Sequence, residues 1–461
     1  MRTTTPFFRS AAMAMAMIVA ITGFVVAETQ AQTKSGGLPV IRDAEIEGLL
    51  RLYTRPIFKA AGINPGSVRV YVLNDPRINA FVAGGQRIFV NTGLLMQAGT
   101  PNEVIGVLAH ETGHIAGGHL ARMGVEVDKA STTQLIGMLI GIAAVAGGAL
   151  SGDPNVGRAG QGVMMGSQGL AQRNFLAYAR GMESSADQAA LKYLGATGQS
   201  AKGMITLFDK LSRQSIASIN NVDPYVMSHP MPLERIRNLE RAATQSKFYN
   251  RNDDPALLLR HQLMQAKLLG FIEGPQAVMR RYPPSDQSLP ARYARAIALF
   301  RKGDIRNALP VIESLIAELP QSPYFWELKG QALLENGRAA EAVAPLLKAV
   351  KMLPSNGLIQ ILAAQALIDT ETKANAESAI RLLRQAQKTE GDIPVTFKYL
   401  ARAYSITGDA ARAELNTAEA ALAQGDNKLA IQKAKSAQAR FKKGTPEWIR
   451  ANDVLTFASR N

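Results

Sequence analysis

The chain has no cysteine among its 461 residues. That excludes disulfide staples, thiol nucleophiles, Cys-type zinc sites and a lipid-modified N-terminal cysteine. Any metal must be held by histidine, aspartate or glutamate. Histidine is itself scarce, with five in all. Long hydrophobic runs are missing too: the most apolar internal stretch, Leu135 to Leu150, includes four glycines and falls short of the ~20 apolar residues that span a bilayer. It reads as a hairpin either buried or in peripheral contact with a membrane, and not as a membrane span. The formal charge is +15, yet the basic residues are spread along the chain without an aromatic–basic signature or a recognition-helix pattern. A solvated basic surface and no nucleic-acid partner follow. With 47% apolar and 19% charged residues, the chain has the composition of a folded protein of two or three domains.

Three of the five histidines stand within ten residues, His110 to His119. His110-Glu111-Thr112-Gly113-His114 reads HExxH. On a helix, residues four apart share a face, so His110 and His114 can offer two imidazole nitrogens to one ion while Glu111 stands beside it as a general base. The helix has its own start signals: Thr100 as cap, Pro101 in the first turn, Glu103 closing a T-x-x-E capping box, and an apolar face of Val104, Val107 and Leu108. Two histidines and a glutamate also meet this spacing by chance. Against that, polar groups on so apolar a helix need a reason to be there.

A catalytic zinc takes three protein ligands and keeps an open position. The third candidate is Glu183, in Glu183-Ser184-Ser185-Ala186-Asp187 on a helix expected over about Asn174 to Leu194. Asp187, one turn on, is placed to accept the free N–H of a ligand histidine. The rival is His119, but an HExxHxxGxxH pattern needs histidine where Leu120 stands. His119 comes one residue early and reads as a helix-end polar residue. Further on, Ser228-His229-Pro230 opens another helix through Arg235 and Ile236, and a proline-braced His229 suits either a cleft or a surface turn.

The rest of the chain frames these motifs. Arg2 and Arg9 precede an uncharged run, Ala11 to Ala27, followed by small residues, which reads as a signal peptide over 1–31. Helical spacing runs from Asp43 to Ala61. Alternation at Val68, Val70 and Val72, and around Gly84-Gly85, predicts a small antiparallel sheet with a hairpin. Its edge suits either pairing with an extended substrate or covering the core. Gly157 to Gln172 reads as a loop or lid. Beyond the polar stretch at 247–254, Leu319-Pro320 recurs as Leu353-Pro354 and Gly303 as Gly337. That is the 34-residue tetratricopeptide period, supported by Trp326, Gly330, Ala342, Ala349 and Pro354. The expected division is a metal-binding domain over 38–250 and a repeat domain over 255–461, mainly α with one small sheet.

In this order, the HETGH, apolar insert, ESSAD, SHPMPLER and repeat segments resemble the HtpX/CAAX-prenyl-protease-like metallopeptidases, over nearly all of the chain that follows the leader. The resemblance implies a gluzincin-type zinc endopeptidase domain followed by an α-solenoid, located in the periplasm. His110, His114 and Glu183 would hold one Zn2+ and Glu111 would be the base. Asp187 would orient a ligand or donate a proton, and His229 and Arg235 would line the cleft. Unfolded or misassembled outer-membrane proteins would be the substrates, with the outer-membrane assembly machinery a partner through the repeats. The reading from another class is a repeat-based chaperone or assembly scaffold whose metal site is latched or idle.

Overall fold

The computed structural model describes residues 39–120, 169–217, 225, 229, 233–391 and 393–460. The expected signal peptide, the apolar stretch Leu135 to Leu150, and positions 157–168 of the expected lid lie outside the described residues. Gly169 to Gln172, the remainder of that lid, instead form the first turn of a helix. Among the described residues no helix is long and apolar enough to cross a membrane.

Two compact units divide the chain, Leu38–Phe325 and Trp326–Asn461. The first begins with strand β1 (Val40–Ile41) and helix α1 (Ala44–Ala60), which Asp43 caps by accepting from the Glu45 and Ile46 amides. Strands β2 (Arg69–Leu73), β3 (Ala80–Ala83) and β4 (Arg87–Asn91) follow. The sheet order is β1-β2-β4-β3. The β3–β4 hairpin is antiparallel as expected, and β1, a strand not expected from the sequence, also pairs antiparallel with β2, but β2 and β4 run parallel, so the sheet is mixed and not purely antiparallel. The cause is the link at 74–79, which carries the chain one strand further out and lets the hairpin's second strand, not its first, return against β2. Strand β3 is thereby an edge.

Next come α2 (Thr92–Gln97) and α3 (Pro101–Ala116), the helix of the HExxH motif. Thr100 caps it as read from sequence, accepting from the Glu103 amide. The Glu103 carboxylate accepts from Gly99, one residue before the cap, so the capping box is displaced by one position. Helices α4 (Gly169–Ala196) and α5 (Lys202–Ala217) pack against it, and α6 (Leu233–Ala243) packs against those two. Close approach is achieved with glycine. A Cβ on Gly113 would lie 2.8 Å from the Ala186 carbonyl oxygen of α4, and one on Gly106 would strike Met204 of α5. One apolar core joins these parts through Leu50, Tyr53 and Ile57 of α1, Val72 and Val90 of the sheet, Val107 and Leu108 of α3, and Phe208 of α5.

At the expected boundary between 250 and 255 the chain enters α7 (Pro255–Ile272), whose Met264 and Leu268 belong to that same core. Its His261 also meets the Tyr53 hydroxyl through Nδ1 and the Ala98 carbonyl through Nε2, each at 3.0 Å. After α8 (Pro275–Arg281), helix pairs succeed one another: α9 (Leu289–Arg301) with α10 (Ile305–Glu318), α11 (Pro323–Glu335) with α12 (Ala339–Met352), and α13 (Gly357–Asp369) with α14 (Lys373–Glu390). Two further pairs are α15 (Pro394–Thr407) with α16 (Ala410–Ala423) and α17 (Asn427–Arg440) with α18 (Pro446–Ala458). The 34-residue period persists one unit further than its glycine signature, because Glu371 holds φ +56° where Gly303 and Gly337 hold +83° and +74°.

Candidate metal centre

Four residues from three places in the chain converge. His110 and His114 project from α3, Glu183 from α4, and His229 from the approach to α6. One ligand-type atom from each lies within 4.8 Å of all the others. His110 Nε2 is 3.0 Å from His114 Nε2 and 3.4 Å from Glu183 Oε2. His114 Nε2 is 3.3 Å from Glu183 Oε1. His229 Nδ1 stands 3.3 Å from His110 Nε2 and 3.1 Å from Glu183 Oε1. A tetrahedral ion with ligand bonds of about 2.05 Å separates its ligands by about 3.3 Å, so these atoms have the spacing that one such ion requires.

Behind the cluster, Asp187 Oδ1 lies 3.0 Å from His110 Nδ1. Arg235, on α6, donates from Nε and NH2 to Asp187 at 2.7 and 2.8 Å, and its NH1 is 2.9 Å from Glu183 Oε2. The guanidinium therefore ties both carboxylates together. Burial opposes ionisation of Glu183, but His229 and Arg235 outweigh it and hold the carboxyl well below its ordinary value. Asp187 is likewise kept low against burial by Arg235 and His110. Burial would lower the His110 imidazole, yet Asp187 and Glu183 push it up to about 9. Burial lowers His114 and His229.

Glu111 is wholly buried, and neither carboxylate oxygen accepts a hydrogen bond among the described residues. Its nearest basic neighbour there is His229 Nε2, 3.4 Å from Oε1. Burial pushes Glu111 up to about 7, against the opposing pull of His114 and His110. A buried carboxyl without donors is costly unless something at the site is still to be placed against it. The donor set of two imidazoles, a carboxylate and a third imidazole fits a divalent ion of the zinc type.

All seven residues singled out in the sequence thus lie in one buried cluster. Two others belong to it that the sequence reading did not place there. Tyr225 packs against His229 with ring centroids 4.7 Å apart and planes tilted by 34°, and its carbonyl accepts from the His229 amide at 2.8 Å; an aromatic four residues before the histidine was the only signal. His119 stands just past the end of α3, the helix-end polar residue read from the sequence, and it is buried there, with Nδ1 3.0 Å from His114 Nδ1. Its signal was the Gly117-Gly118 pair before it.

Comparison with known proteins agrees with this geometry. Residues 44–243 match peptidase family M48, and residues 293–357 match the tetratricopeptide repeat. The chain is 24% identical over 413 residues to the beta-barrel assembly-enhancing protease of Yersinia pestis, covering 87% of this chain and 82% of that one. It is 21% identical over 340 residues to the protein of the same name in Escherichia coli (strain K12), covering 72% of this chain and 67% of that one. The metalloprotease LoiP of the same organism is 29% identical over 204 residues, covering 43% of this chain and 72% of LoiP.

Proposed function

Because the chain joins a peptidase family M48 domain to tetratricopeptide repeats, and is thereby a metallopeptidase, we propose that it is a periplasmic zinc endopeptidase that degrades misassembled outer-membrane proteins and assists their assembly. The observation that carries the chemistry is the convergence of His110, His114 and Glu183 beside a buried Glu111 that has no hydrogen-bond donor among the described residues. One Zn2+ held by those three would supply Lewis acidity to the scissile carbonyl and to the attacking water.

The chain's own residues do the rest. Glu111 takes the proton of the attacking water on a carboxylate oxygen and passes it to the leaving amine. Asp187, gripped by Arg235, accepts the His110 Nδ1 proton and so leaves Nε2 free to act as a ligand. Arg235 offsets the charge of Glu183 and Asp187 and keeps both ionised. His229, whose Nδ1 stands 3.3 Å from His110 Nε2 and 3.1 Å from Glu183 Oε1, would be a fourth ligand of the ion and would then restrain the enzyme until substrate displaced it. Strand β3 pairs with no further strand among the described residues, which supports the extended-substrate reading. The substrate class rests on the printed name of the relatives that span most of this chain, and the repeat units would present such partners to the peptidase.

The test is zinc content measured together with cleavage of an unfolded outer-membrane β-barrel protein. Wild type should contain one zinc per chain and cleave. Glu111→Gln should keep the zinc and lose cleavage, and Glu183→Gln should lose affinity for zinc itself. The scaffold reading draws on the placement of His229 inside the ligand cluster, and it predicts that Glu111→Gln protects outer-membrane assembly as well as wild type does. Cell fractionation and N-terminal sequencing of the native protein test the location, with a mature start expected near Glu28 or Gln32.

A further inference from the structure

We infer that His119 is a positioning residue for His114: it accepts the proton of His114 Nδ1 and thereby fixes which nitrogen of that ring faces the metal. The inference rests on the metal reading above and goes beyond it, because His119 lies outside the group of ligand atoms.

A neutral imidazole has one N–H, and a ring that gives a lone pair from Nε2 must carry its proton on Nδ1. His114 Nε2 faces the cluster, 3.0 Å from His110 Nε2 and 3.3 Å from Glu183 Oε1. Its Nδ1 points away and needs an acceptor, since the ring is largely buried. His119 Nδ1 is there at 3.0 Å, with the two rings edge-on at 81° and centroids 5.0 Å apart. The contact forms only if one of the two nitrogens is bare. With His114 serving the metal through Nε2, His119 must therefore be neutral, with its own proton on Nε2. Each α3 ligand then has one outward partner, Asp187 for His110 and His119 for His114.

The chain is shaped to deliver this ring. Helix α3 ends at Ala116, Gly117 follows with φ −72°, and Gly118 takes φ +61°, which folds His119 back over the last helical turn. A Cβ on Gly117 would fall on the His119 ring. Glycine at 117 leaves the space that the imidazole fills, and glycine at 118 permits the left-handed turn. His119 remains only 4% exposed, so the ring is packed as part of the site.

The test compares two replacements of nearly equal shape in the full-length chain, His119→Asn and His119→Leu. The asparagine side chain keeps an acceptor close to the place of Nδ1, whereas leucine offers none. Zinc chloride is titrated against a fluorescent chelator, and urea unfolding of the chelator-treated protein is followed in parallel. His119→Leu should bind zinc about 10- to 100-fold more weakly, while His119→Asn stays close to wild type and both metal-free variants unfold at the same urea concentration. Gly117→Ala keeps the histidine but displaces its ring, and should weaken zinc binding as His119→Leu does. Wild-type affinity in His119→Leu, or equal loss in the Asn and Leu variants, would overturn the inference. A wild-type protein that takes up no zinc at all would instead overturn the metal reading beneath it.

Discussion

Asp187 and Arg235 are joined by two parallel hydrogen bonds, Nε to Oδ2 at 2.7 Å and NH2 to Oδ1 at 2.8 Å. The same guanidinium reaches Glu183, and both carboxylates face histidines across the cluster. Removing the arginine strands two buried negative charges, a change that typically costs about 3–5 kcal/mol. Arg235→Leu should therefore destabilise the chelator-treated protein by that order in urea unfolding. Saturating zinc, which supplies positive charge at the same carboxylates, should narrow the gap. A variant equally destabilised with and without zinc would show that Arg235 serves packing and not the charge balance of the site.

Glu111 gives the pH dependence of the metal-free fold. Its ordinary value is 4.5 and burial pushes it up to about 7, so the folded state binds the proton more tightly than the unfolded one. For a raised carboxyl the favourable contribution is fully present below pH 4.5 and is lost as pH rises through 7. Glu111→Gln, which cannot ionise, should escape the loss. At pH 8 the metal-free variant should exceed wild type in stability by on the order of 3 kcal/mol, and near pH 4 the two should coincide. Parallel stability curves across that range would contradict the buried, donor-poor environment described for this side chain.

The parts of the site legible in the sequence were those written as fixed spacings. His110 and His114 share a helical face because they are four apart, and Glu183 and Asp187 for the same reason. The cap at Thr100 and the 34-residue period were legible in the same way. What a spacing cannot show is a contact between distant elements. Arg235 bridging Glu183 and Asp187 depends on how α6 lies against α4, and the parallel pairing of β2 with β4 depends on where the hairpin docks. The packing of Met264 and Leu268 into the peptidase core is another such contact, and the polar stretch at 247–254 gives no sign that it follows. His119 was legible as a polar residue at the helix end and not a ligand, but its contact with His114 follows from a turn at Gly118 that no ligand spacing shows.

The repeat unit offers a test of backbone strain. Glu371 occupies the left-handed conformation that glycine holds at the equivalent positions 303 and 337. A side chain with a Cβ pays about 1–2 kcal/mol there, and the ion pair from Glu371 to Arg402 is exposed and 3.4 Å long, so it offsets little. Glu371→Gly should raise the stability of the repeat unit by about 1 kcal/mol, less the extra chain entropy of glycine. Thermal unfolding followed by circular dichroism would register the gain, and a loss would mean that the Arg402 contact outweighs the strain.

His229 decides whether the site is open at rest. Its Nδ1 lies at ligand spacing from His110 and Glu183, while its Nε2 points toward Glu111 at 3.4 Å. A ring so placed fills the fourth position around an ion and also stands over the base, which leaves no room for a substrate carbonyl and its attacking water together. Tyr225 backs the ring from the other side, so the arrangement is packed and not a chance approach of a surface residue. His229→Ala should then raise basal cleavage of an unfolded substrate while lowering zinc affinity, because one change removes both a ligand and a latch. If His229 instead donates to the developing oxyanion, the same variant should retain zinc and lose turnover by about 10²–10³. The two roles give opposite signs in turnover, and zinc affinity falls in the first and holds in the second; a variant with wild-type rate and wild-type zinc affinity would exclude either role.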